Sequence, residues 1–229
     1  MKKMEWSEET TENKRIECVV TRYNEHLNWL NYIPSEVTSI RVYNKNQNNS
    51  DFFTKGFECT YSHKIQQQTV NNVGRHNETI ASYIVENYDN LPDVVMFVPG
   101  TVMMTPQRGL YISQMSKNLS QLEKFKGFYS PKFIRVGKKY NYIAAKELEN
   151  GSKLVEGKYN SFNEWKESII PDTIVKFVCY RGMMVVEKRN ILKHPKEIYS
   201  KILSTLQDGD NTSNGFYAER FWAFLFKNF

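Results

Sequence analysis

The chain has 229 residues and a formal net charge of +6, from 31 Lys and Arg against 25 Asp and Glu. Hydrophobic residues make up 40% of it, which is enough for a core and excludes wholesale disorder. The basic excess is mild and its densest stretch, residues 124–139, is typical of a solvated surface, so we expect no nucleic-acid partner.

The first 14 residues are polar and contain no apolar run. We predict a disordered tail over residues 1–14 and no export signal, because a secretory signal needs an apolar centre. No later run approaches the roughly 20 apolar residues that span a bilayer. We therefore expect no transmembrane segment and a cytoplasmic location. The three cysteines are widely spaced, which excludes a disulfide framework and zinc-ligand spacing.

The first half of the chain alternates between strand and helix patterns. Residues 16–21 (IECVVT) predict a buried strand, and residues 25–32 a short helix that Pro34 ends. Residues 37–43 alternate as a second strand, residues 76–88 have helical spacing, and residues 94–98 (VVMFV) predict a central strand. This rhythm predicts a single α/β domain over residues 15–229, with a mostly parallel sheet flanked by helices.

The second half is less regular. Residues 110–125 predict a helix, and residues 129–157 predict loops with a small hairpin. Residues 174–180 and 183–186 predict two strands around the pair Arg181-Gly182. A helix then begins near Pro195 and ends at Leu206, a loop covers residues 208–215, and an aromatic helix covers residues 218–226.

Three segments together resemble a known family. They read VVTRYNEHLNWL (residues 19–30), NVGRHNETIASYIVENYDNLPDVVMFVPG (72–100), and YRGMMVVEKRNILKHPKEIY with GFYAERFWAFLF near the C-terminus. Their order and content resemble a domain-of-unknown-function family of fungal, bacterial and large-DNA-virus proteins, which is similar to GT-A glycosyltransferases. The resemblance implies a GT-A-like, Rossmann-related fold. The Asn- and Lys-rich composition also suits an AT-rich viral genome, and hence a viral protein in a host cytoplasm.

In GT-A proteins the loop after the first strand holds the nucleotide of the donor. The resemblance therefore implies that Arg22 pairs with a phosphate and that Asn24 or Glu25 bonds uridine or ribose hydroxyls. The alternative is a helix start, with Asn24 as the N-cap and Glu25 favoured by the helix dipole.

A second candidate donor site lies at Asn72 and Arg75. The intervening Gly74 forms a turn that opens onto a helix N-terminus, where backbone N–H groups attract anions, and Arg75 adds a fork of donors. The alternative is a plain turn and helix cap. Relatives carry an acid where this chain has His76, so the resemblance assigns no role to that residue.

Residues 97–104 (FVPGTVMM) depart from the GT-A pattern, which places an Asp-x-Asp-like pair after this strand to hold Mn²⁺ or Mg²⁺ against the diphosphate. Mn²⁺ or Mg²⁺ stays possible in this chain, but the acid pair is missing. The donor charge then needs Arg or Lys instead, or the protein is inactive.

Glu219 is the candidate general base, because an inverting transferase needs one carboxylate to deprotonate the acceptor hydroxyl and the family keeps a Glu-Arg-x-Trp-like end. The alternative is an ion pair or a solvated helix face. The resemblance thus implies a glycosyltransferase that moves a sugar from a nucleotide-sugar donor to a glycan or protein acceptor. The missing acid pair keeps a second hypothesis open, a catalytically degenerate GT-A-like fold that binds a glycan or a protein.

Overall fold

The computed structural model describes residues 14–49, 51–103, 105–144 and 154–227, and the predicted tail lies outside them except for Lys14. These residues form six helices of α type and eight strands. The strands are β1 Ile16–Arg22, β2 Ser39–Asn44, β3 Ile65–Thr69, β4 Val94–Pro99, β5 Phe128–Tyr129, β6 Phe133–Arg135, β7 Phe177–Cys179 and β8 Met184–Glu187. The helices are α1 Arg75–Asn87, α2 Pro106–Leu119, α3 Phe162–Ile169, α4 Lys188–Ile191, α5 Lys196–Ser204 and α6 Ser213–Phe226.

The main sheet has the strand order β3-β2-β1-β4-β8-β5. The first four of these are parallel to one another, whereas β8 runs antiparallel to both β4 and β5. A second, two-stranded sheet pairs β6 with β7. The fold is therefore α/β with a mostly parallel sheet flanked by helices, as the strand and helix rhythm of the sequence predicts.

Both faces of the main sheet are buried. In β4, Val95 and Phe97 point to the face covered by α1, α3, α5 and α6, whereas Val94, Met96 and Val98 point to the face covered by α2. Alternate residues of a strand point to opposite faces, so a strand that is buried on both sides must be apolar throughout. This is why residues 94–98 form an unbroken apolar run.

Several boundaries differ from the sequence expectations. The short helix predicted over residues 25–32 is a 3₁₀ helix over Asn28–Tyr32, and α6 begins at Ser213, inside the loop predicted for residues 208–215. The small hairpin predicted within residues 129–157 does not form among the described residues, because β5 pairs with β8 and β6 with β7. Residues 145–153 of that stretch lie outside the description. No helix within the described ranges is both long and apolar enough to cross a membrane.

Candidate functional site

A cavity of about 550 Å³ opens where β1 and β4 end. These parallel neighbours form a topological switch point, because the chain continues from β1 to β2 on one side and enters β4 on the other. Such a point leaves a crevice at the carboxyl ends of the strands, where α/β proteins bind ligands. The predicted site residues that line the cavity are Arg22, Glu25, Asn72, Arg75 and Glu219. Asn24 does not line it.

Arg22 is fully buried and its guanidinium organises the loop that follows β1. Nε donates to the carbonyl oxygen of Glu25 at 2.8 Å, and the two terminal nitrogens donate to Asn44, to Asn49 and to the carbonyl oxygen of Asp51. A guanidinium has five N–H groups, and these contacts use all of them. Arg22 therefore has no donor left for a phosphate in this arrangement.

Asn24 and Glu25 are held by local hydrogen bonds. The Oδ1 atom of Asn24 accepts from Asn46 at 2.5 Å and from Asn49 at 3.3 Å. The Oε2 atom of Glu25 accepts the backbone N–H groups of Tyr23 and Asn24, at 2.7 and 3.1 Å. Asn24 is not the helix cap that the alternative reading predicts, since Leu27 occupies the N-cap of the 3₁₀ helix.

The turn before α1 is left-handed at two consecutive residues. Gly74, the N-cap, has φ 55°, and Arg75 has φ 51°. Both Asn72 and Arg75 are exposed at the cavity. Lys45 stabilises the turn from below, because its Nζ donates to the carbonyl oxygen of Val73 at 2.7 Å and to the carboxylate of Glu78 at 2.6 Å. Lys45 is thus a neutralised structural cation, whereas Arg75 faces the open space.

His76 is a buried bridge. Its Nε2 lies 2.8 Å from the carbonyl oxygen of Gly182 and must donate, since a carbonyl only accepts; Nδ1 then accepts the hydroxyl of Thr21 at 2.6 Å. Burial lowers the pKa of His76 to about 4, and the positive charge of Lys45 acts in the same direction. His76 is therefore neutral, and it joins the end of β1 to the turn between β7 and β8.

Two further arginines reach the same cavity. One terminal nitrogen of Arg108 donates to the carbonyl and hydroxyl oxygens of Thr101, at 3.0 and 2.7 Å, directly after β4. The Nε of Arg108 is buried and has no hydrogen-bond partner among the described residues. Arg181 has φ 75° and precedes Gly182, which has φ 63°. Four arginines therefore line the cavity: Arg22 at the end of β1, Arg75 at the start of α1, Arg108 in the first turn of α2 and Arg181 between β7 and β8.

Glu219 enters the cavity from α6. Burial raises the pKa of its carboxyl, and Arg220, the backbone of Arg181 and the charges of Arg181 and Arg108 oppose that rise. A smaller cavity of about 70 Å³ lies beside the first. Glu219 lines both, together with Arg75, Asn77 and Asp210. The carboxylate thus stands at the boundary between two neighbouring spaces.

The chain matches the family described as "Protein of unknown function (DUF3431)" over residues 18–229. It belongs to this family. The match covers the three resembling segments and the connections between them. Comparison with curated proteins finds no match.

In this DUF3431 protein, sequence reasoning missed Thr101, Arg108 and Arg181 as site residues. The signal for Arg181 was the Arg-Gly pair between two predicted strands. This pair indicates a turn, but it does not indicate that the turn lies beside the loop that follows β1. Arg108 lies in the first turn of α2, and its guanidinium is held at the cavity by hydrogen bonds to the two oxygens of Thr101. Neither contact is visible from spacing along the chain.

Proposed function

We propose that this DUF3431 protein is a glycosyltransferase that moves a sugar from a nucleotide-sugar donor to a glycan or protein acceptor. The observation that carries the proposal is the shared cavity: the loop after β1, the turn before α1 and the carboxylate of Glu219 line one space at the switch point of the sheet. A volume of about 550 Å³ lies within the range of small-molecule sites.

Within this proposal the exposed residues of the two turns bind the donor. Arg75 and the N-terminus of α1 meet the phosphates, since a guanidinium and free backbone N–H groups both favour anions. Glu25 and Asn72 line the cavity and offer hydroxyl-binding groups near the ribose and base. Asn24 does not line it and acts only within the loop, where its Oδ1 atom accepts from Asn46 and Asn49. Arg22 contributes indirectly, because it holds the loop from which Asn24 and Glu25 project.

Glu219 is the proposed general base. Its carboxylate removes the proton of an acceptor hydroxyl, the acceptor oxygen bonds to the anomeric carbon, and the bond from that carbon to the phosphate oxygen breaks with its electron pair leaving on the nucleotide diphosphate. The position of Glu219 supports this assignment, because its side chain lines the main cavity and also the smaller space beside it.

The first test is isothermal titration calorimetry with UDP, GDP and their sugars. Saturable binding of at least one is expected, and the absence of binding to every one would defeat the proposal. Donor cleavage is then measured by release of the nucleotide diphosphate with and without a glycan panel.

Glu219→Gln separates the enzyme from a binding module. The exchange keeps the shape of the side chain but removes the base, so transfer should fall by about 10² to 10⁴-fold while donor binding persists. Glu197→Gln, on the exposed face of α5, is the matched control. A wild-type protein that binds glycans and never cleaves a donor would instead establish the degenerate binding module.

A further inference from the structure

The position after β4 carries a guanidinium where a GT-A metal site needs carboxylates. Thr101 holds Arg108 there through two oxygens, and the described residues contain no cluster of three or more His, Cys, Asp or Glu side chains that could hold a metal ion. A divalent cation such as Mn²⁺ or Mg²⁺ prefers several hard oxygen ligands. The side chains present at this point do not fit such an ion.

The same residues gather positive charge instead. The pKa of Arg108 is lowered, first by burial and then by the charge of Arg181, and the carboxylate of Glu219 opposes the shift. Like charges held together in a partly buried place repel each other, and this repulsion is relieved when an anion binds. The unpartnered Nε of Arg108 adds a buried donor that has nothing to bond among the described residues.

Backbone strain marks the other two arginines. The non-glycine residues with positive φ in the described chain are Arg75, Asp172 and Arg181, and two of these line the cavity. The left-handed region is unfavourable for a residue with a Cβ atom, because that atom lies too close to the following carbonyl oxygen. Strain of this kind persists where the surrounding structure imposes it, and it is enriched at ligand-binding sites.

The remaining charged groups of the cavity compensate this cluster only in part. Lys45 is paired with Glu78, and the N–H groups of Arg22 are all engaged. The Oε2 atom of Glu25 already accepts two backbone N–H groups. Asp210 is exposed at the rim, and the carboxylate of Glu219 interacts with both Arg108 and Arg181, so one carboxylate is shared between these two arginines.

We propose that Arg75, Arg108 and Arg181 take the place of a divalent cation and bind the diphosphate of the donor directly. That the anion belongs to a nucleotide rests on the proposed function; that the cluster binds a diphosphate group does not. Guanidinium forks match phosphate oxygens in geometry, and three of them disperse the charge that develops on a departing diphosphate.

The probe for this proposal is sodium pyrophosphate, titrated calorimetrically in EDTA and again in excess MnCl₂. Pyrophosphate should bind in EDTA, and added salt should weaken the binding because the contact is ionic. Arg108→Gln and Arg181→Gln should each reduce the affinity about tenfold or more, the loss expected for a charge-assisted hydrogen bond. Arg135→Gln, which changes an exposed arginine of β6 outside the cavity, should leave it unchanged.

Thermal melts verify that each variant is folded, and Arg75→Gln provides a third test on an exposed side chain if Arg108→Gln does not fold. Binding that occurs only with Mn²⁺, or cluster variants that bind as tightly as Arg135→Gln, overturns the proposal. Pyrophosphate binding without any nucleotide binding would support the arginine site and refute the proposed function. Nucleotide binding that strictly requires Mn²⁺ would support the proposed function and refute the arginine site.

Discussion

The Nε2 atom of His76 donates a hydrogen bond of 2.8 Å to the carbonyl oxygen of Gly182. Each partner has an arginine as its preceding neighbour, so this one contact fixes the distance between the turn of Arg75 and the turn of Arg181. The contact is buried and joins positions that are 106 residues apart. The contact therefore holds the two arginine-bearing turns side by side at the cavity.

Gly182→Ala should destabilise the protein by about 2–4 kcal/mol. An added Cβ would lie 2.5 Å from Cδ2 of His76, and φ is 63°, so both a clash and backbone strain result.

Gly56→Ala is the control for backbone strain without a clash, because φ is 80° and no atom lies within 4 Å of the added Cβ. It should lower the free energy of unfolding by about 1 kcal/mol. Gly137→Ala meets nothing and should be neutral. Urea unfolding measures all three free energies; equal effects at Gly182 and Gly56 would show that the close packing of His76 against Gly182 adds no cost.

His76 should make stability fall as the medium becomes acidic. The unfolded chain binds a proton at the ordinary histidine pKa of about 6.5, whereas the folded chain binds it only near pKa 4. The stabilisation is complete above pH 6.5 and is lost as the pH falls toward 4, to a total of about 3 kcal/mol. The charged group that faces His76 is Lys45, and its other neighbours Thr21 and Gly182 are neutral.

The measurement is urea unfolding between pH 7.5 and 4 for wild type, His76→Gln and His63→Gln. His63 is exposed and serves as the control. The pKa of Glu219 is raised, so this group also makes the free energy of unfolding depend on pH. The contribution of His76 is therefore the difference in free energy of unfolding between wild type and His76→Gln at each pH. If that difference is the same at every pH, the assignment of a neutral bridging histidine is wrong.

Arg22→Lys should destabilise the fold by about 2 kcal/mol or more, although it preserves the charge. A lysine cannot replace the five donors that Arg22 directs to the loop, and partly buried oxygens of Asn49 and Asp51 lose their partners. Arg75→Lys, at an exposed position, should leave stability within about 0.5 kcal/mol. Thermal unfolding compares the two; a stable Arg22→Lys protein with impaired nucleotide binding would return Arg22 to the role of phosphate ligand.

Arg75→Gly should make the protein more stable and less able to bind pyrophosphate. Glycine adopts φ 51° without a Cβ penalty, and the gain exceeds its greater entropy in the unfolded chain by about 0.5 kcal/mol or more. Asp172→Gly relieves the same strain at φ 54° outside the cavity and is the matched control, with stability raised and affinity unchanged. Pyrophosphate affinity that survives Arg75→Gly would remove Arg75 from the anion site.

The central elements were predictable because their signals are local. The apolar runs of β1 and β4 follow from burial on both faces, and the helical spacing of α1 follows from the face that it packs on the sheet. α3 was missed although Ser161 and Glu164 form a capping signature, in which the Ser161 hydroxyl accepts the N–H of Glu164. β3 could not be found, because its residues 66–68 are three glutamines at the edge of the sheet and carry no apolar period.

The sequence by itself determined the α/β class, the parallel centre of the sheet and the two turns that carry Arg22 and Arg75, because each depends on neighbours within a few residues. Only the tertiary structure decided what those arginines do. Both terminal nitrogens of Arg22 are engaged by oxygens that lie 22 to 29 residues away, while Arg108 reaches the cavity from α2 and Arg181 from the turn between β7 and β8. A hydrogen-bond partner that is remote in sequence leaves no periodic trace, and it sets whether a charged group is free to meet a ligand.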